Sequence, residues 1–206
     1  GYMNEVTSIV TDQNNNIFVT GATTSTNGIV YGNAYSPTYQ FSGYISYAGF
    51  LKKLDTNGVD IFGTYVGAKD YTFITDAVLG MNNEIILSGN ATNIENIILD
   101  ENPHQALTSN GNQINGNGNA LLMKFDNSGN PIWGFLAGDS SYSNRYHSLD
   151  YNHISKDIIT VGWNVSPTMI STPNGYQTKP IYDHEYNRLT GYNGTMTLYS
   201  DIENNF

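Results

Sequence analysis

Few residues in this chain have the types and spacing to do chemistry. Asp183-His184-Glu185 is the densest ionisable run. With His104, His147 or His153 it could in principle supply metal ligands or an acid–base pair. Successive residues on a strand point to opposite sides, so three in a row rarely share one ligand. A solvated loop is the expected role. Asp55-x-Asn57-Gly58-x-Asp60 has the look of a calcium loop but lacks the glycine placement and closing Glu of an EF-hand. We read it as a hairpin turn, like the parallel Asp126-Asn127-Ser128-Gly129. There is no Ser–His–Asp order, no G-x-S-x-G elbow and no phosphate-cradling glycine loop. The chain has no Cys, which excludes disulfides and thiolate metal sites. No catalytic residue is assigned, and no metal or cofactor is expected.

What remains is recognition chemistry. The 206 residues carry a net charge of −10, with 8 basic against 18 acidic side chains. Phosphate backbones need clustered Lys and Arg, so a nucleic-acid partner is not expected. No apolar run approaches the roughly 18 residues of a membrane-spanning helix. Charged residues are only 13%, about half the usual share. Polarity comes instead from 28 Asn, with Gly, Ser, Thr and 16 Tyr. Asn and Gly favour turns, while Thr, Tyr, Val and Ile favour strands. This is the profile of an all-β protein with many hairpins, and it suits an exported surface protein.

The elements that must position any site are repeated. Ile9–Gly21, Ala77–Gly89 and Leu149–Gly162 each run as an apolar strand, a polar turn and a β-branched strand closed by Gly. The closing glycines lie 68 and 73 residues apart. A second unit interleaves: Gly49–Gly67 matches Ala120–Gly138 at an offset of 71, and a third copy starts at Gly194. First strands are expected near 5–12, 73–80 and 145–152, and second strands near 16–23, 84–92 and 157–164. Third strands are expected near 48–55, 119–126 and 194–201, and fourth strands near 60–67 and 131–138 only. Four-stranded units in tandem are the signature of propeller blades. The expected units are 1–70, 71–141 and a partial 142–206, about 2.75 blades.

Val19-Thr20-Gly21, Asn33-Ala34-Tyr35-Ser36-Pro37, Pro173-Asn174-Gly175-Tyr176-Gln177-Thr178 and the two later hairpins carry a further likeness. The chain resembles the bacterial β-propeller repeat family often called SBBP, along nearly its whole length. The resemblance implies an incomplete β-propeller of four-stranded antiparallel blades in a large exported protein. It brings no catalytic motif. The second unit departs from the pattern, with Pro103-His104-Gln105-Ala106-Leu107 in place of a Tyr-Gln segment. Asp126 to Trp133 is similar to the Asp-box turn of sialidase-type propellers, but its glycine and aromatic spacings are too long.

Fewer than four blades cannot close a ring, so further blades are expected from the same or another chain, and a fragment of a longer protein is the favoured reading. Connections between second and third strands are long, near 24–47, 93–118 and 165–193, and lie on one face with the links between blades. Long loops gathered on one face form the default binding surface. Tyr39, Tyr44, Tyr71, Tyr142, Arg145, Tyr182, Asp183 and Tyr186 are the expected ligand-binding residues. A tyrosine ring with its polar tip suits a glycan or a protein partner. The expected function is a non-catalytic, adhesin-like module at the cell surface. The alternatives are a structural subunit of a surface filament or secretion-linked assembly, and a propeller-fold glycoside hydrolase using Asp70, Asp139 and Asp183. Phe62, Trp133 and Trp163 are expected in packing, and Lys52, Lys53 and Lys124 are expected to keep outer strands soluble.

Overall fold

Aspartate-led turns set the hairpins. The Asp55 carboxylate accepts the N–H groups of Asn57 and Val59, each at 2.8 Å. Asp126 does the same with Ser128 and Asn130 at 2.8 Å, and Asp12 with Asn14 and Asn16 at 2.9 Å. The N–H groups of Val59 and Asn57 hold Asp55 below its ordinary pKa. Burial alone would raise Asp12 and Asp126, but hydrogen bonds led by Asn16 and Asn130 outweigh it and lower both. The motif that looks like a calcium loop, Asp55 to Asp60, is therefore a hairpin turn with the carboxylate engaged by backbone amides.

The computed structural model describes residues 4–39, 47–67, 71–92, 118–137, 144–164, 182–183, 188–189 and 193–200. The fold is all-β, with antiparallel sheets whose strands follow chain order. Sheet 1 joins β1 (Asn4–Thr11), β2 (Ile17–Thr23), β3 (Ala48–Leu54) and β4 (Asp60–Val66). Sheet 2 joins β5 (Thr72–Leu79), β6 (Ile85–Ala91), β7 (Asn119–Phe125) and β8 (Pro131–Ala137). Then come β9 (Asn144–Asn152), β10 (Asp157–Asn164) and a short hairpin of β11 (Tyr182–Asp183) and β12 (Arg188–Leu189). With β13 (Asn193–Ser200), β9 and β10 make sheet 3 in the order β9-β10-β13.

The three closing glycines share one environment. Gly21, Gly89 and Gly162 each face a register shift in the first strand of their sheet. A Cβ there would lie 1.9 Å from the Glu5 carbonyl oxygen, 2.1 Å from that of Phe73 and 1.9 Å from that of Arg145. Only glycine permits this approach. The bulge also re-aims a threonine toward the next sheet. Thr7 Oγ1 donates to the Ile74 carbonyl at 2.9 Å, and Thr75 Oγ1 donates to the Tyr146 carbonyl at 2.8 Å.

The sheets stack face to face because strand alternation sends apolar side chains both ways from sheet 2. Ile85, Leu87, Leu121, Met123 and Phe125 pack on Phe18, Leu51 and Phe62 of sheet 1. Ile86, Leu122 and Phe135 pack on Tyr146, Leu149, Tyr151 and Ile158 of sheet 3. Phe62 and Trp133 join these two layers, as expected for packing residues.

The lysine expectation needs correction. Lys53 and Lys124 are buried, not solubilising, because the third strand is flanked on both sides and covered by the next sheet. Lys53 Nζ lies 3.4 Å from Asp12, donates to the carbonyl and side chain of Asn127, and sits 4.9 Å above the Phe18 ring. Lys124 makes the matching pair in sheet 2 with Glu84 at 2.7 Å. Lys52 alone stays partly exposed, 2.8 Å from Asp60.

The first long connection covers an edge. Tyr31 exchanges two backbone hydrogen bonds with Gly63, at 3.1 and 2.9 Å, and Ser36 accepts the Tyr65 N–H at 3.1 Å. Residues 31–36 thus lie along the outer side of β4, where an open strand would invite pairing.

Asp76 joins all three sheets. It accepts Ser8 Oγ at 3.0 Å from sheet 1, and Ser148 Oγ at 2.6 Å and Leu149 N at 3.1 Å from sheet 3. Charge-assisted bonds are worth roughly 1.5–3 kcal/mol when buried, and partial exposure reduces that. We expect Asp76→Ala to lower unfolding free energy by about 2 kcal/mol in urea melts. A loss under about 0.5 kcal/mol would mean that the sheets are not coupled here.

Candidate functional site

The long connections leave from one end of every sheet, and that end is stitched by a repeated bond. Thr72 N donates to the Tyr47 carbonyl at 2.7 Å, and Asn144 N donates to the Gly118 carbonyl at 3.0 Å. Each ties the start of one sheet to the residue just before the third strand of the sheet preceding it. Tyr71 is held as well, its N–H donating to Thr92 Oγ1 at 3.1 Å.

This stitching gathers aromatic rings and a guanidinium from distant segments. Tyr47 meets Tyr71 edge-on at 5.6 Å and Phe73 at 6.3 Å, while Tyr71 and Phe73 stack at 6.3 Å. The Arg145 guanidinium lies 4.8 Å above the Phe73 ring. Its Nε is buried and without a hydrogen-bond partner among the described residues. Burial raises the Tyr71 phenol, against the opposing effects of the Arg145 charge and an Asn90 hydrogen bond. The hydroxyl therefore stays a neutral donor at physiological pH. His147, beyond Arg145, has its pKa lowered by burial first and by Arg145 second, so its cationic form is disfavoured. The cluster offers flat apolar rings, a phenol and a cation, which is binding chemistry and holds no nucleophile–base pair.

Of the eight sequence-selected residues, Tyr71 and Arg145 come together here. Tyr39 does not join them: it is buried, its ring 5.7 Å from Tyr65, and serves to pack the first connection onto sheet 1. Tyr35 likewise meets Phe125 edge-on at 6.0 Å. Tyr182 and Asp183 form β11, paired with Leu189 and Arg188. Tyr44, Tyr142 and Tyr186 lie outside the described residues, as do Asp70 and Asp139 of the hydrolase reading. Sequence reasoning left Tyr47 and Phe73 out of the site. A signal existed for both, since each flanks or opens a strand on the loop-bearing end.

A second feature lies at the opposite end. Ile9, Thr11, Val78, Asp150, Tyr151 and His153 line an open cleft of about 470 Å³ where β1, β5 and β9 converge. His153 rests edge-on against Tyr151 at 5.0 Å, and Asp150 accepts the Tyr151 N–H at 2.8 Å. Among the described residues, no group of three His, Asp or Glu side chains could hold a metal ion. No protein-family model and no curated protein matches the chain.

Proposed function

We propose that the chain is part of a β-propeller that binds a glycan or protein partner on its loop-bearing end, without catalysis, outside the cell. The blade reading is supported by three sheets of matching strand order, packed face to face with their first strands side by side. The export reading rests on composition: no Cys, few charges, much Asn, Thr and Tyr. The observation that carries the binding reading is the meeting of Tyr71, just before β5, and Arg145, at the start of β9, on the Phe73 ring. Aromatic faces stack on sugar rings or apolar side chains, and a guanidinium adds a fork for a carboxylate or hydroxyl.

A glycan array, followed by titration of any hit, tests this. We expect Tyr71→Ala and Arg145→Ala each to weaken binding at least about tenfold, or roughly 1.4 kcal/mol, with circular dichroism unchanged. Retained affinity in both variants rejects this site. An array without hits turns the reading to a protein ligand.

The structural-subunit reading has its own support. Val6 and Ile9 on sheet 1, and Met196 and Leu198 on sheet 3, are exposed apolar residues on the two outermost faces of the stack.

A further inference from the structure

Arg145 is a cation without an anion. Lys52, Lys53 and Lys124 each hold a carboxylate: Asp60 at 2.8 Å, Asp12 at 3.4 Å and Glu84 at 2.7 Å. The Arg145 side chain has no carboxylate within ion-pair distance among the described residues. In a chain with 18 acidic and 8 basic side chains, an unmatched acid is ordinary and an unmatched base is not. Its buried Nε has lost water without gaining an acceptor. A buried donor in that state is unfavourable, and an arriving acceptor removes the penalty. The Phe73 ring attracts the charge but leaves the donor fork unfilled. The surroundings keep the site cationic. His147 has its protonated form disfavoured, so Arg145 is the standing positive charge of the cluster. Glu5, exposed on β1, is the carboxylate whose charge reaches Tyr71, and it is the weakest of the influences on that phenol. Beside the cation, Tyr47 and Tyr71 are partly exposed while Phe73 beneath them is buried.

We infer that the ligand of this site is a carboxylated sugar, a uronate- or sialate-type unit whose carboxylate takes the Arg145 fork while its ring lies on Tyr71. The inference rests on the loop-end binding reading above. A carboxylate meets a guanidinium through two parallel N–H···O bonds, which a point charge or a hydroxyl cannot match. A sugar acid holds that carboxylate rigidly beside an apolar ring face. Tyr71 and Arg145 present the complementary pair, held together on one ring, Phe73. An acidic peptide side chain brings its carboxylate on a flexible stem with no ring surface, and leaves the tyrosine unused. A neutral sugar uses the tyrosine and leaves the charge unmatched.

Calorimetric titration of the whole chain with matched sugars tests it. The probes are galacturonate and glucuronate oligosaccharides, sialyllactose, and the carboxyl-reduced form of each, in which a hydroxymethyl group replaces the carboxylate. We expect at least one acid to bind about tenfold or more tighter than its reduced form. Arg145→Gln removes the charge and should bring that pair to within about twofold of each other. Arg145→Lys keeps the charge without the fork and should retain part of the preference. Circular dichroism checks folding, and the comparison of acid with reduced form on the wild type needs no variant. Equal affinity for acid and reduced forms, lost in Tyr71→Ala, overturns the acid preference and leaves the loop-end site standing. A polyglutamate peptide bound in place of every sugar, and released by Arg145→Gln, overturns the sugar class and keeps the site. Acid binding unchanged in both Tyr71→Ala and Arg145→Gln overturns this inference and the site together. Silence from every probe overturns this inference alone.

Discussion

Gly89→Ala is expected to destabilise the protein by about 3 kcal/mol or more, among the larger costs a single methyl can impose. The added Cβ would lie 2.1 Å from the Phe73 carbonyl oxygen and 3.0 Å from Ile74 Cα. Those are backbone atoms of β5, which is wedged between the outer two sheets and cannot retreat. Gly21→Ala meets the Glu5 carbonyl oxygen at 1.9 Å, but β1 has an open face and can shift. Its cost should therefore be smaller. Gly58 supplies the control: φ is +79° and nothing lies within 4 Å of its would-be Cβ, so alanine there costs only backbone strain, about 1 kcal/mol. Urea midpoints of the three variants should rank in that order. Equal losses at Gly89 and Gly58 would dismiss the close approach as a constraint.

Lys53→Met is expected to cost about 3 kcal/mol, because it strands a buried carboxylate. The Lys53 and Asp12 side chains are 5% and 0% exposed. Methionine keeps the apolar stem against Phe18 but removes the charge. The Asn14 and Asn16 amides still serve Asp12, which keeps the loss from growing larger. Adding Asp12→Asn should recover part of the stability, and the double-mutant cycle measures that coupling. The sign with pH follows from Asp12, whose folded pKa lies below 3.8. Its ionised form contributes stability above that value, and the contribution is lost as pH falls through the folded pKa. In Lys53→Met the isolated carboxylate instead gains from protonation, so the gap to wild type should narrow toward pH 3. Lys124→Met should cost less, since Glu84 keeps 19% of its side-chain surface in water. A Lys53→Met variant as stable as wild type would show that the pair contributes nothing.

The hairpins and repeat units were legible in the sequence because their causes are local. An aspartate two residues before Asn or Ser makes its own turn, and a glycine facing a bulge recurs wherever the bulge does. The burial of Lys53 was illegible for the opposite reason. Whether a third strand meets water depends on a sheet that begins about 20 residues later in the chain. Tyr39 misled for the same reason, since its partner Tyr65 lies far along the chain in β4. The Tyr47–Tyr71–Phe73–Arg145 cluster draws on segments of three sheets, and only stacking brings them together. Tyr71 and Arg145 were chosen for being aromatic or charged beside a link, and Phe73 was missed because it reads as an ordinary strand residue.

The cover over β4 has a consequence for how the protein is made. Residues 31–36 precede β4 in the chain, so a ribosome delivers the shield before the edge that it will protect. The β4 border of sheet 1 thus need never wait bare for another chain to pair with it. Trimming this segment is expected to lower the soluble yield, because it leaves the β4 edge open to pairing with other chains during synthesis.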